Sequence, residues 1–246
     1  MGLFDNIETV FDLILNPEEY TDNGKSGERY TYRKLKDIYL KQQIFRNLYI
    51  IRENGKYTEI DLVTVGRGVL IVFESKNYSG WIFGKDSDDT WMQSINKNEK
   101  HRFYNPVRQN NVHIETLKEY LKDYPLEYYS VIVFSERCEL KNVQCSSPNT
   151  YIIKRNMLEK TVNRIRKNAD IKISEEKLNE VIELLSKVQR PDDEIREKHL
   201  EDVKNNLLKC PKCGGDMVKR TAKATNKDFY GCKNYPRCRF TRECEK

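Results

Sequence analysis

Apolar residues along the chain recur first at helical spacing and then at strand spacing. Leu3, Phe4, Ile7, Val10, Phe11 and Ile14 lie three or four apart and predict an amphipathic helix over residues 1–15. Asp5, Glu8 and Asp12 argue that it packs on the main domain rather than on anionic lipid, and that it is not a signal peptide. The polar stretch from Asn16 to Gly27 marks a loop, and Tyr32, Leu35, Ile38 and Tyr39 predict a helix from Glu28 to Gln43. Strand-like runs follow at Ile44–Arg52, Tyr57–Val65 and Val69–Lys76, with a shorter pair on either side of a turn at Lys85–Asp89. Asn105-Pro106 reads as an N-cap with proline at the first helical position, opening a helix to Tyr124. Strands at Tyr128–Phe134 and Tyr151–Lys154 come next, and then a charge-rich helical stretch from Arg155 to Lys209 in which Pro191 separates two helices. This order predicts an α/β fold, a mixed sheet flanked by helices. The expected units are a domain over 1–190, a helical linker over 191–209 and a small C-terminal module over 210–246.

Composition sharpens this picture in two places. With 38% hydrophobic and 33% charged residues, and no apolar run near the roughly 18 needed to span a bilayer, the chain reads as a soluble cytoplasmic protein without a membrane partner. The net charge of +6 is unevenly placed: residues 210–246 carry ten Lys or Arg against four Asp or Glu, which accounts for the whole surplus. A polyanion such as nucleic acid is the partner this predicts.

The basic tail also carries metal-ligand spacing. Cys210-Pro-Lys-Cys213 and, eighteen residues on, Cys232 and Cys238 predict a tetrahedral Cys₄ site for one structural Zn²⁺, with Cys244 as a spare thiol. A segment this short has too little core to fold without such a staple. Its opening CPKCGG, its FYGC and its NYPRCRFT resemble the four-cysteine zinc-finger modules of type I topoisomerases. That resemblance implies single-stranded DNA binding, with Lys233, Arg237 and Arg239 for phosphates and Tyr230 and Tyr235 for base stacking. Phe229 and Phe240 are expected in the ribbon's own core.

Within the central strands, Gly66-Arg67-Gly68 separates two β-rich runs and predicts an antiparallel hairpin. With Arg67-Gly68 as its two turn residues, Asp61 stands opposite Glu74 and Glu59 opposite Lys76. Glu74 and Lys76 then share a face, joined across the pair by Asp61. Two facing carboxylates imply Mg²⁺, a shared proton or the neighbouring lysine as neutraliser; charge on a solvated strand face is the ordinary alternative.

Asp61 followed by Glu74-Ser-Lys76 resembles the PD-(D/E)xK nuclease pattern. Together with Gly27-Glu28 ahead of a helix, Gly80-Trp81 and Asn105-Pro106-Val-Arg-Gln109, it resembles the nuclease-related domain, NERD. The resemblance implies a three-layered PD-(D/E)xK nuclease-like sheet in which Asp61 and Glu74 bind Mg²⁺ (or Mn²⁺) and Lys76 assists phosphodiester hydrolysis. It also implies that Glu28 contacts the metal or its water and that Gln109 positions substrate. The reading that follows is a Mg²⁺-dependent nuclease acting on single-stranded or distorted DNA, with other DNA-processing proteins as further partners. A binding-only adaptor, or a ribbon that docks protein, are its rivals.

Other features point elsewhere. His101, His113 and His199 form no HExxH or triad signature; His113, four residues after Gln109, shares its helix face and could reach the pocket, but is expected as a packed or surface histidine. Asp86, Asp88 and Asp89 suit a polar hairpin turn better than a calcium loop. Cys138 and Cys145 read as incidental thiols, and no nucleotide-binding glycine loop is present.

Overall fold

The computed structural model describes residues 22–52, 54–97, 99–189, 201, 209–210, 212–221 and 228–243. The helix expected over 1–15, Pro191, His199, Cys244 and all of the 191–209 linker except 201 and 209 lie outside them. In chain order the large unit contains α1 (Asp22–Leu35), β1 (Ile44–Ile51), β2 (Tyr57–Val65), β3 (Val69–Lys76), β4 (Gly80–Lys85), β5 (Thr90–Ser94) and β6 (Lys100–Tyr104). It continues with α2 (Pro106–Tyr120), β7 (Glu127–Phe134), β8 (Cys138–Gln144), β9 (Thr150–Lys154), α3 (Leu158–Asn168) and α4 (Glu175–Lys187). None of the described helices is long and apolar enough to cross a membrane.

Five strands make one mixed sheet in the order β1-β2-β3-β7-β9, antiparallel through β3 and parallel from β3 to β9. Side chains alternate across it. Val63, Val65, Leu70 and Val72 face one way, and pack with Ile114 and Leu117 of α2 and with Leu178, Val181 and Leu185 of α4. Leu62, Ile71 and Phe73 face the other way, and pack with Leu35 of α1 and with Leu158, Val162 and Ile165 of α3. This is a helix–sheet–helix sandwich, the three layers expected. A second sheet, ordered β6-β5-β4-β8, closes over Trp91, Phe103 and Phe134, whose rings cluster in a third core.

The hairpin between β2 and β3 has the expected register. Leu62 pairs with Phe73 and Val65 with Leu70, and Gly66 N–H donates to Val69 O at 2.7 Å across the Arg67-Gly68 turn. Gly68 has φ +94°, and a Cβ there would stand 2.0 Å from Ile171 O, so both backbone conformation and close approach demand glycine. The expected cap of α2 also forms, with Asn105 Oδ1 accepting from Val107 N at 3.0 Å.

Three expectations are corrected. The helix placed at Glu28–Gln43 runs instead from Asp22 to Leu35, so residues 22–27 are helical rather than loop. Gly27 lies inside it because the helix passes close to Asn77: a Cβ on Gly27 would be 3.1 Å from Asn77 Cβ. The helical stretch expected from Arg155 is interrupted at 169–174, where Ser174 caps α4 by accepting from Lys177 N at 3.3 Å, while the break expected at Pro191 lies outside the described residues. Two strands were not expected at all: β6 and β8, the polar edges of the second sheet, whose charged residues hide the apolar alternation.

The acidic turn after β4 is a structural knot. Asp86 accepts from the N–H of Ser146, and from the hydroxyl and N–H of Ser147 and the Ser146 hydroxyl, at 2.8 to 3.1 Å. These bonds hold its carboxyl at about 2, below the ordinary 3.8. Asp88 accepts from Lys85 N, and Asp89 pairs with Arg108.

Two outcomes follow. Gly68→Ala should cost about 3 kcal/mol or more in urea denaturation, because left-handed strain and a backbone clash act together. The lowered Asp86 carboxyl contributes stability that is complete above its ordinary value and is lost as pH falls from about 4 to about 2. Asp86→Asn should therefore melt below the wild type at pH 7, and the two melting temperatures should converge near pH 2.

Candidate active site and metal centre

The hairpin register carries acidic and basic side chains into the layer between the sheet and α2. Glu74 and Lys76 continue the face of Leu70 and Val72, and both are buried. Lys76 Nζ lies 3.3 Å from Glu74 Oε1. Glu59 and Asp61 continue the same face from β2, past Val63 and Val65. The β2–β3 ladder ends at Leu62↔Phe73, leaving Asp61 and Glu74 as the next step of that register.

On its other side, Asp61 lies where the β1–β2 ladder is interrupted. The pairs Arg46↔Leu62 and Leu48↔Ile60 skip Asn47, which has φ +53°. Asparagine adopts this left-handed conformation at small cost, and here it opens the ladder beside Asp61.

Burial raises the Asp61 carboxyl well above its ordinary range. The charges of Glu28, Glu74 and Glu59 raise it further, and Lys76 opposes them. These neighbours show what the fold assembles: Glu28 from α1, Glu59 and Asp61 from β2, Glu74 and Lys76 from β3. Thr31 of α1 fixes the helix on β3, its Oγ1 lying 3.0 Å from Ser75 Oγ and donating to Gly27 O at 3.1 Å.

From α2, Asn110 Nδ2 donates to Val72 O at 2.9 Å and Ser130 Oγ at 2.8 Å, which locks the helix to β3 and β7. Its neighbour Gln109 has a buried Oε1 that accepts from nothing among the described residues. His113, one turn on, is buried with Nδ1 3.3 Å from Thr58 Oγ1. Burial, with the positive charges of Arg52 and Lys76, pushes its imidazole down to about 3, so it is neutral at pH 7. His113 is thus both the packed histidine expected and a neighbour of the lysine. Arg52 and Thr58 escaped notice, for they belong to no motif.

Asp61 and Glu74 offer oxygen atoms to a hard divalent cation. No three carboxylates converge within 4.8 Å among the described residues, where the four cysteines are the one such set found. Two carboxylates with remaining positions left to water and phosphate is a shell that suits Mg²⁺.

The ribbon is a separate three-stranded sheet of β10 (Met217–Thr221), β11 (Asp228–Cys232) and β12 (Thr241–Glu243). Cys210, Cys213, Cys232 and Cys238 bring their sulfurs within 4.8 Å of one another. The Cys210–Cys238 and Cys213–Cys232 separations are 3.6 and 3.4 Å. Zn–S bonds of about 2.3 Å in a tetrahedron place sulfurs about 3.8 Å apart, so the cluster fits zinc. Asn234 supports it, N–H donating to Cys232 Sγ at 3.4 Å and Nδ2 to Cys213 Sγ at 3.5 Å. Tyr230 and Phe240 pack against the sulfur core. Tyr235 is 60% exposed with Arg220 over its ring, and Lys233, Arg237 and Arg239 are exposed. Of the proposed stacking residues, Tyr235 is therefore accessible and Tyr230 half covered. Phe229 is half-buried, outside the small core in which it was expected.

Residues 23–135 match the family model of the nuclease-related domain, and residues 208–246 match that of the topoisomerase DNA binding C4 zinc finger. The chain is thus similar to a nuclease-related family over its α/β unit and to a topoisomerase-type zinc finger over its ribbon. An uncharacterised protein of Bacillus anthracis is 29% identical over 187 residues, 76% of this chain and 86% of that one. DNA topoisomerase 1 of Archaeoglobus fulgidus is 54% identical over 43 residues, and that of Methanothermobacter thermautotrophicus 43% over 44. Those stretches cover 17% and 18% of this chain but 6% of either topoisomerase. No solved structure matches the chain. The nuclease-related match begins inside α1, in keeping with Gly27-Glu28 as part of that helix.

Zinc analysis should find one ion per chain, lost in Cys232→Ser. Both tryptophans, Trp81 and Trp91, lie outside the ribbon, so chelation should leave their fluorescence unchanged while abolishing the ribbon's NMR dispersion.

Proposed function

We propose that the protein is a Mg²⁺- or Mn²⁺-dependent phosphodiesterase acting on DNA, with the ribbon holding single-stranded or distorted DNA and the α/β domain cleaving it. The observation that carries this reading is the assembly of Asp61, Glu74 and Lys76 on one hairpin face, within a segment that matches a nuclease-related family. Burial among like charges makes the Asp61 carboxylate costly unless a cation offsets it. A divalent ion held by Asp61 and Glu74 would supply charge stabilisation to a phosphoryl oxygen and lower the pKa of a bound water.

The chain's own groups provide the rest. Lys76, anchored to Glu74, keeps a cationic donor beside the carboxylates for the attacking water or the phosphate. Glu28 lends a third carboxylate that accepts a proton from that water. Gln109 offers its amide to the substrate. In the ribbon, Lys233, Arg237 and Arg239 meet phosphates and Tyr235 stacks on a base, with the half-covered Tyr230 beside it. Thiols arranged for zinc rather than disulfides fit the reducing cytoplasm.

Cleavage of labelled single-stranded, duplex and forked DNA by the zinc-loaded chain tests this. Products should require Mg²⁺ or Mn²⁺ and fall by about 100-fold or more in Glu74→Gln and in Lys76→Ala. DNA that is bound but left whole in every divalent ion would identify a binding adaptor instead.

A further inference from the structure

The parallel strands of the central sheet end level with one another: Lys76 pairs with Phe134, and Phe134 with Lys154. In open α/β sheets, ligands bind in the crevice outside the carboxyl ends of such strands. Arg155 follows Lys154 and opens a short 3-10 turn. Its side chain is only 10% exposed. Nη1 donates to Glu136 Oε2 at 3.3 Å, and the Tyr30 ring lies 5.3 Å from Cζ. Nε and Nη2, by contrast, are buried and donate to nothing among the described residues.

Their neighbours adjoin the residues of the acidic cluster along the chain. A Cβ on Gly27 would stand 3.6 Å from Arg155 Nη2 and 3.1 Å from Asn77 Cβ. Gly27 precedes Glu28 and Asn77 follows Lys76, so the guanidinium lies at the rim formed by both. Arg137 adds a second cation there, its Nη2 donating to Asn77 O at 2.8 Å.

Nε and Nη2 form one edge of the guanidinium, a two-donor fork that matches two oxygens of a phosphate. Buried charged donors without acceptors are costly, which favours an anion arriving with the substrate. We propose that Arg155 grips a phosphate of the nucleic-acid strand other than the one cleaved, and so sets the register in which the strand crosses Asp61 and Glu74. This rests on reading that cluster as a phosphodiesterase site.

The test uses the full zinc-loaded chain with Ca²⁺ in place of Mg²⁺, and reads the affinity for a single-stranded oligonucleotide by anisotropy across a salt series. Arg155→Gln should weaken binding roughly tenfold and reduce the slope of log affinity against log salt by about 0.7, one phosphate contact on a single strand. Arg155→Lys should keep the slope and lose affinity. Glu136→Gln, which removes only the competing anion, should bind DNA more tightly; a merely structural role for the ion pair would make it resemble Arg155→Gln. An added 5′-phosphate that helps the wild type but not Arg155→Gln identifies an end phosphate, and equal affinities identify an internal diester.

An unchanged affinity and slope in folded Arg155→Gln would overturn the proposal even where Mg²⁺-dependent cleavage persists. An Arg155-dependent slope without cleavage in Mg²⁺ would leave the phosphate grip standing and remove the nuclease reading.

Discussion

The register of one hairpin governs this molecule. Strand side chains alternate with a period of two, so a slip of one residue between β2 and β3 would send Asp61, or Glu74 and Lys76, to the opposite layer among Leu62, Ile71 and Phe73. The two-residue turn prevents that slip, and the turn depends on Gly68. Its left-handed backbone admits the approach of Ile171 from the connection between α3 and α4, while Glu127 N donates to Gly68 O at 2.8 Å. The charged cluster at one end of the hairpin is thus aligned by packing at the other.

The same register explains why a cluster of like charges is tolerated inside the domain. Val63, Val65, Leu70 and Val72 lie on the face that also carries the carboxylates, and they bury well against α2 and α4. Favourable apolar burial along most of each strand offsets the cost concentrated at its last residues. Lys76 reduces the remaining repulsion through Glu74. Asn110 keeps α2 at the distance this arrangement needs, by reaching the β3 backbone directly.

Much of this was legible in the chain itself, because its strongest elements are local. The β2–β3 pairing follows from alternation and turn chemistry, the start of α2 from Asn105-Pro106, and the zinc site from cysteine spacing. Gly27 misled because glycine in a helix interior is disfavoured by propensity; only tertiary approach to Asn77 makes it useful there. The edge strands β6 and β8 escaped because an edge strand can be polar on both faces. His113 and Arg155 have roles that depend on neighbours far away in sequence, the first beside Thr58 and Lys76, the second beside Gly27 and Tyr30. Helical spacing from Gln109 put His113 on the right face without deciding between packing and pocket, and for Arg155 no motif or spacing pointed to the site.

The ribbon's four sulfurs all come from residues 210–238, and its small sheet takes its order from them. A unit whose scaffold is supplied by its own ligands and one ion asks no shape complementarity of the protein that carries it. It can be joined to unrelated hosts without either partner's core being redesigned. That portability gives a physical account of why likeness to the topoisomerases is strong over some forty residues and covers so little of their length.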